Sequence, residues 1–147
     1  MKKIDFHFES FNMNIEYIIG QNASENFKII DDANNDANND AISDAIDDAN
    51  NDAINDAIND AISDANNNYM WFHIDGYPSC HVLCKIPNNL LKKDLLKVIK
   101  RGALCCKENS KYKSEKSISV IYTYLKNVTK TDVIGTVITS NTKSIKV

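Results

Sequence analysis

The residues best suited to chemistry lie close together in the middle of the chain. They are Trp71, His73, Asp75, Cys80, His81 and Cys84. Catalysis here would need a nucleophile beside a base, or a pair of acids. His73 and Asp75 are two positions apart, so on a strand both would lie on one face, an arrangement that suits a hydrogen-bonded histidine. Because no second acid stands at a useful spacing, we expect no catalytic residues and a protein that is not an enzyme. A small hydrolase using His73, Asp75 and His81 is the alternative.

A metal site is the second chemistry to weigh. Structural zinc takes four nitrogen or sulfur ligands in a tetrahedron. If residues 81–86 form a strand, Cys80 and Cys84 share one face and His81 points to the other. Cys105 and Cys106 are neighbours on a predicted helix and are expected to act as small apolar side chains. The sequence therefore predicts no metal and no cofactor.

A binding role suits the same histidines and tryptophan better. Trp71 could stack on an RNA base, although an aromatic residue in a central strand is buried more often than not. His73 and His81 lie near two turns and could face each other across adjacent strands. A neutral imidazole can donate a hydrogen bond from one nitrogen and accept at the other. We expect these histidines to orient the region or to contact RNA.

A helix after residues 87–89 carries the clearest geometric signal, with Asn88 or Asn89 as the expected N-cap. On a helical projection, apolar side chains occupy one face: Leu91, Leu95, Val98, Ile99, Ala103 and Cys106. Basic side chains occupy the opposite face: Lys93, Lys97, Lys100, Arg101 and Lys107. A solvated face usually mixes charges of both signs, and this face has only Asp94 near its edge. The pattern favours contact with an anion.

Short β-rich segments surround this helix. We expect strands at residues 15–19, 69–74, 81–86 and 117–124, and a hairpin that joins residues 133–139 to 144–147 through residues 140–143. The sequence thus predicts a single small α+β domain, with a mostly antiparallel or mixed sheet and one principal amphipathic helix.

Charge is segregated along the 147 residues. The formal net charge is −3, yet residues 32–67 hold ten aspartates and no lysine or arginine. Residues 68–147 hold 14 basic and 5 acidic residues, a net of +9. Such a balance points to a polyanionic partner, most often nucleic acid.

Residues 32–67 consist of nine tetrads that each begin Asp-Ala. A period of four matches neither a helix nor a strand, and aspartates four apart repel on a helix. We interpret the tract as a low-complexity insertion that is solvated, mobile or a marginal helix. We treat it as a loop and expect it to be dispensable for folding. Specific calcium binding is not expected, because the tract has no Gly or Glu. An interaction protein acting through these acidic repeats is a further alternative.

Several motifs recur in a fixed order outside the tract. They are residues 20–26 (GQNASEN), 71–73 (WFH), 76–82 (GYPSCHV), 109–111 (NSK), 120–123 (VIYT), 128–130 (VTK), 135–137 (GTV) and 143–147 (KSIKV). In combination they resemble the NFACT-R domain. This is the RNA-binding module of the nuclear export mediator factor, Caliban and Tae proteins and of bacterial FbpA-like proteins. The resemblance implies residues 1–31 as N-terminal strands, 32–67 as the repeat insertion and 68–147 as the rest of the domain.

The resemblance also implies a function. Relatives act in ribosome-associated quality control, where they bind the large ribosomal subunit and recruit tRNA, and the R domain contacts RNA. We therefore expect an RNA partner, tRNA or ribosomal RNA, with the large ribosomal subunit itself as a further candidate. Lys111 and Lys130, which end two of the motifs, join Trp71, His73, His81 and the basic helix residues as predicted RNA contacts. The chain has no apolar run near the roughly 18 residues of a membrane span and no signal peptide, so we expect a cytoplasmic protein without membrane contact.

Overall fold

The computed structural model describes residues 1–48 and 68–147 and shows an α+β domain. The helices are α1 (Ala23–Asp48) and α2 (Lys92–Glu108). The strands are β1 (Lys2–Phe8), β2 (Met13–Gly20), β3 (Tyr69–Ile74), β4 (His81–Lys85), β5 (Ser119–Tyr124), β6 (Val128–Lys130), β7 (Val137–Thr139) and β8 (Lys143–Lys146). The predicted fold class is confirmed, and a second helix joins the principal one. Neither described helix is long and apolar enough to cross a membrane.

Six of the strands form one antiparallel sheet in the order β1-β2-β4-β3-β5-β8. The register places Trp71 of β3 opposite Leu83 of β4 and Thr123 of β5. The central strands were predicted from their β-branched and aromatic content, and the prediction for residues 69–74 matches the strand at both ends.

The predicted hairpin through residues 140–143 is wrong. Strand β7 pairs with β6 in a separate two-stranded sheet, whereas β8 pairs with β5 at the edge of the large sheet. The chain crosses between the two sheets at Asn141, whose φ is 52°. The Thr123 hydroxyl donates to the Ser140 carbonyl at 3.0 Å and so ties this crossing to β5.

Each face of the large sheet is covered by a different helix. Alternate residues of the strands point to opposite faces, so Phe72 packs toward α2 and Trp71 toward α1. The α2 side holds the larger apolar cluster. Helix α2 approaches the sheet so closely that a Cβ at Gly102 would lie 2.3 Å from the Phe72 ring. The sheet therefore separates two surfaces.

Helix α2 begins later than the sequence predicts. Its N-cap is Leu91, not Asn88 or Asn89, and no side chain caps it. Asn89 has a φ of 63°, a left-handed conformation that asparagine tolerates and that ends the turn before the helix. The Tyr17 hydroxyl donates to the Val98 carbonyl at 2.8 Å and fixes the middle of the helix against β2.

Helix α1 was not predicted. The Asn22 side chain accepts from the Glu25 backbone N–H at 2.9 Å and donates to the Glu25 carboxylate at 2.8 Å, a reciprocal cap for the first turn. The helix continues through residue 48, so the interpretation of the repeats as a loop is wrong for residues 32–48. Ala33 is buried in the α1-side cluster and contributes to the core. The rest of the tract, residues 49–67, lies outside the described residues.

Candidate nucleic-acid interface

The predicted RNA-contacting residues divide between the two faces of the sheet. Trp71, His73 and His81 lie on the α1 side, where they line one cavity. The lysines of α2 lie on the other side, along the helix that packs on the larger cluster. The prediction that the two histidines face each other is confirmed, because their ring centroids are 5.1 Å apart.

Trp71, His73 and His81 form a compact cluster. The Trp71 indole Nε1 donates to His81 Nδ1 at 3.1 Å. The His73 ring stacks on the indole with centroids 5.6 Å apart and planes 4° apart, while His81 meets it edge-on. Trp71 is 1% exposed, so it offers no free ring face to a base in this arrangement. Its role here is to hold both imidazoles.

Burial keeps both imidazoles neutral. It lowers the pKa of His81 to about 3, with a further contribution from neighbouring His73. It also lowers the pKa of His73, against opposing effects from a backbone hydrogen bond at Ile74 and from the charge of Asp75. Because Trp71 donates to Nδ1 of His81, the proton of the neutral ring resides on Nε2. His81 thus acts as a fixed hydrogen-bonding group and not as a titrating base near neutral pH.

The start of α1 closes one side of this cavity. The His81 backbone N–H donates to Asn26 Oδ1 at 3.1 Å, which anchors the first helical turn to β4. A Cβ at Gly20 would lie 2.4 Å from that same oxygen, so this approach needs glycine. Our sequence reasoning missed Asn26, although the Asn22–Glu25 spacing signals a helix start just before it. Together these contacts enclose a cavity of about 480 Å³.

Among the described residues, the lining of this cavity includes no aspartate or glutamate beside its histidines. Asp75 is exposed beyond the end of β3. The hydroxyl of Ser79, one of the alcohols that line the cavity, accepts from the Ile74 N–H at 3.1 Å and donates to the Cys80 carbonyl at 2.9 Å. It is therefore committed to the turn, with no base bonded to it among the described residues. The arrangement suits a structural or binding role.

The cysteines pack where the strand alternation predicts. Cys80 and Cys84 lie in the α2-side cluster, on the face opposite His81, and Cys105 and Cys106 are buried in the same cluster. The fold brings Cys106 to Cys80 with their sulfurs 4.0 Å apart. Across residues 1–36 and 68–147, whose side chains the structure describes, no group of three or more potential ligands could hold a metal ion.

The outward face of α2 carries three exposed lysines, Lys93, Lys97 and Lys100. They repeat at the helical spacing that places them on one side. Lys97 lies 3.8 Å from Asp94, a buried carboxylate that also accepts from the Ser10 hydroxyl at 3.1 Å. Within the described chain, Lys93 and Lys100 have no ion pair, so their ammonium groups are available to a ligand.

The other predicted α2 contacts point elsewhere. The Arg101 guanidinium lies 4.7 Å from the centre of the Phe6 ring and 3.9 Å from Glu108. Lys107 donates to the Val147 carbonyl oxygen at 3.2 Å. Both cations are half-buried and serve contacts within the domain.

Lys111 and Lys130 also lie apart from the α2 lysines. Lys111 is exposed and sits 5.4 Å from the centre of the Tyr112 ring. Lys130 pairs with Asp31 at 2.5 Å and lies over the Phe27 ring, so it fastens the small sheet to α1. The ten predicted residues therefore do not form one continuous surface.

Residues 24–146 match the family model for the NFACT protein RNA-binding domain. This match spans most of the chain, and the chain belongs to that family. Membership of this family supports an RNA-binding role for the domain. Among proteins with curated functions, none matches the chain.

A solved structure shares the fold. The C-terminal part of the fibronectin/fibrinogen-binding protein from Streptococcus suis superposes with a TM-score of 0.60 at 15% sequence identity. The match covers 100% of this chain and 45% of that one, so the chain spans less than half of that structure. The two proteins share an architecture.

Proposed function

We propose that the chain binds structured RNA, tRNA or RNA of the large ribosomal subunit, through the outward face of α2, and that it acts in ribosome-associated quality control. Membership of an RNA-binding domain family supports the RNA partner. The observation that carries the choice of surface is the row of exposed lysines on α2, Lys93, Lys97 and Lys100.

The geometry of this row suits a phosphate backbone. Lys93 and Lys100 are seven residues apart, which corresponds to about 10 Å along the helix axis. Flexible lysine side chains on such a row can follow successive phosphates without reading bases. Double-stranded RNA is recognised mostly by shape and backbone, because its deep major groove is too narrow for side chains. Folded RNAs such as tRNA and ribosomal RNA present long helical backbones of this kind.

A charge-reversal variant tests this surface. Changing Lys93, Lys97 and Lys100 to Glu should abolish tRNA binding measured by filter retention or fluorescence anisotropy. A matched variant, with Lys113, Lys116 and Lys146 changed to Glu, alters the net charge equally at exposed positions outside the helix. It should bind tRNA far better than the α2 variant. Thermal unfolding of each variant checks that the fold is intact.

Salt dependence gives a second measure. Each neutralised phosphate releases counterions, so replacing the three lysines with Gln should reduce the slope of log affinity against log salt by about 2 to 3. Equal losses in the α2 and control variants would refute a defined surface. The ribosomal role is tested by co-sedimentation with isolated large subunits that carry or lack peptidyl-tRNA. Preferential retention on the loaded subunits is expected, and equal absence from both would refute it.

A further inference from the structure

A groove beside the lysine row of α2 leads to a more specific assignment. We propose that this groove, between α2 and strands β5 and β8, holds an unpaired nucleotide of the bound RNA. The inference rests on the proposed function, because it adds a subsite for a flipped or single-stranded base next to the surface that holds phosphates. The lysines of this groove were not among the RNA contacts predicted from the sequence.

The groove combines two kinds of side chain. Its basic members are Lys92, Lys126 and Lys143, from three different elements. Among the described residues these three lysines have no ion pair, unlike Lys97, Arg101 and Lys130. The described lining includes no aspartate or glutamate. The groove is thus a locally positive site without an internal counter-charge.

The floor and wall of the groove are apolar or aromatic. Tyr122 and Tyr124 of β5 contribute half-buried rings, and Leu96 of α2 stands at the edge with 56% of its surface exposed. The volume is about 440 Å³, within the roughly 300–1,000 Å³ usual for small-molecule sites. Asn141 adds an amide group that can donate to and accept from a base edge, while the amide nitrogen of Asn127 already donates to the Thr123 hydroxyl at 3.0 Å.

This composition fits a nucleotide better than other anions. Single-stranded nucleic acid binds where a positive groove follows the backbone and aromatic or apolar side chains receive the bases. A free phosphate would use the lysines but leave Leu96 and the tyrosines uncovered. An acidic peptide would satisfy the charge, yet it has no flat ring for the apolar wall. Continuity with the exposed lysines of α2 places the subsite at the side of an RNA helix, where an end or bulge would enter.

The test compares two RNAs, a blunt hairpin and the same hairpin with an unpaired 3′ extension. The full chain should bind the extended hairpin several-fold more tightly. In the groove variant, Lys126 and Lys143 are changed to Ala, and the preference for the extended hairpin should disappear. A control variant has Lys113 and Lys116 changed to Ala. Both variants should weaken binding of the blunt hairpin to the same extent. All four side chains are exposed, so folding should be preserved. Leu96→Glu should act like the groove variant, through repulsion and loss of the apolar edge.

The outcomes separate the groove from the lysine row. If the groove variant and Leu96→Glu both still prefer the extended hairpin, the proposed subsite is wrong, although the α2 surface can still bind RNA. A competition experiment with a bound oligo-aspartate peptide gives another refuting outcome. If neither RNA displaces the peptide, and the groove variant no longer binds the peptide, the groove is a site for acidic peptides and the proposal is wrong. Failure of the unmodified protein to bind either hairpin would refute the proposed function and, with it, the subsite.

Discussion

His81 should make the protein sensitive to acid in a way that can be calculated. In the native state burial and His73 hold its pKa at about 3, against an ordinary value of 6.5 for an exposed histidine. When the folded pKa is depressed, the unfolded state binds a proton first as the pH falls. Stability is therefore fully present above about pH 6.5 and is lost progressively as the pH falls toward 3.

The size of the effect follows from the two pKa values. At pH 5 an unfolded histidine is almost fully protonated and native His81 is almost fully neutral. One pKa unit corresponds to about 1.4 kcal/mol, so the contribution of His81 to the loss of unfolding free energy between pH 7.5 and 5 is about 2 kcal/mol. His73, whose pKa is also lowered by burial, adds a loss of the same sign.

The assay is urea unfolding followed by the fluorescence of Trp71, the single tryptophan. His81→Gln keeps an acceptor for the Trp71 N–H but cannot titrate, so its stability should change by about 2 kcal/mol less than that of the unmodified protein between pH 7.5 and 5. At neutral pH the variant should lose no more than about 1 kcal/mol of unfolding free energy, the net worth of the hydrogen bond from the Trp71 N–H. His7→Gln, at an exposed position, should leave the His81 contribution in place. Identical pH profiles for His81→Gln and the unmodified protein would refute the buried neutral imidazole.

Three further predictions concern folding. Gly102→Ala should destabilise the domain by about 1–3 kcal/mol in chemical denaturation, because the new methyl group would collide with the Phe72 ring of β3. Asn22→Ala should lower the unfolding free energy by about 1 kcal/mol and lower the thermal midpoint, whereas Asn22→Ser should keep an acceptor for the Glu25 backbone N–H. Replacing residues 32–67 with a Gly/Ser linker should lower the unfolding free energy more than a replacement that starts after Asp36. Only the longer replacement removes Ala33 from the core and the contacts of Asp36 with β3 and β4.

The strands and α2 could be predicted because their patterns are local. Residues 69–74 are rich in aromatic side chains and end in a β-branched isoleucine, and the α2 sequence separates apolar from basic residues at a helical period. Helix α1 was missed because the tetrad repeat drifts around a helix and its Asp and Asn content opposes helix formation. The capping signal at Asn22 and Glu25 was nevertheless present.

The division of the candidate site could not be read from the sequence. Strand alternation shows that Trp71 and Phe72 face opposite ways, but it does not show which helix covers which side. That depends on the strand order, which places α2 over Phe72 and α1 over Trp71. The engagement of Arg101 with Phe6 likewise depends on where β1 lies in the sheet, far from α2 in the chain.

Acidic and basic residues that are segregated along the sequence come to lie on opposite faces of the large sheet. On the α1 side, cations are paired with aspartates of that helix: Lys28 with Asp32 at 3.2 Å, Lys85 with Asp36 at 3.6 Å and Lys130 with Asp31 at 2.5 Å. On the α2 side, Lys93 and Lys100 have no such partner in the described residues. An RNA approaching α2 therefore meets unpaired lysines, whereas these three cations of the α1 side are already neutralised by aspartates of that helix. Since unpaired surface charge contributes most to phosphate binding, the α2 face is the side on which RNA should dock.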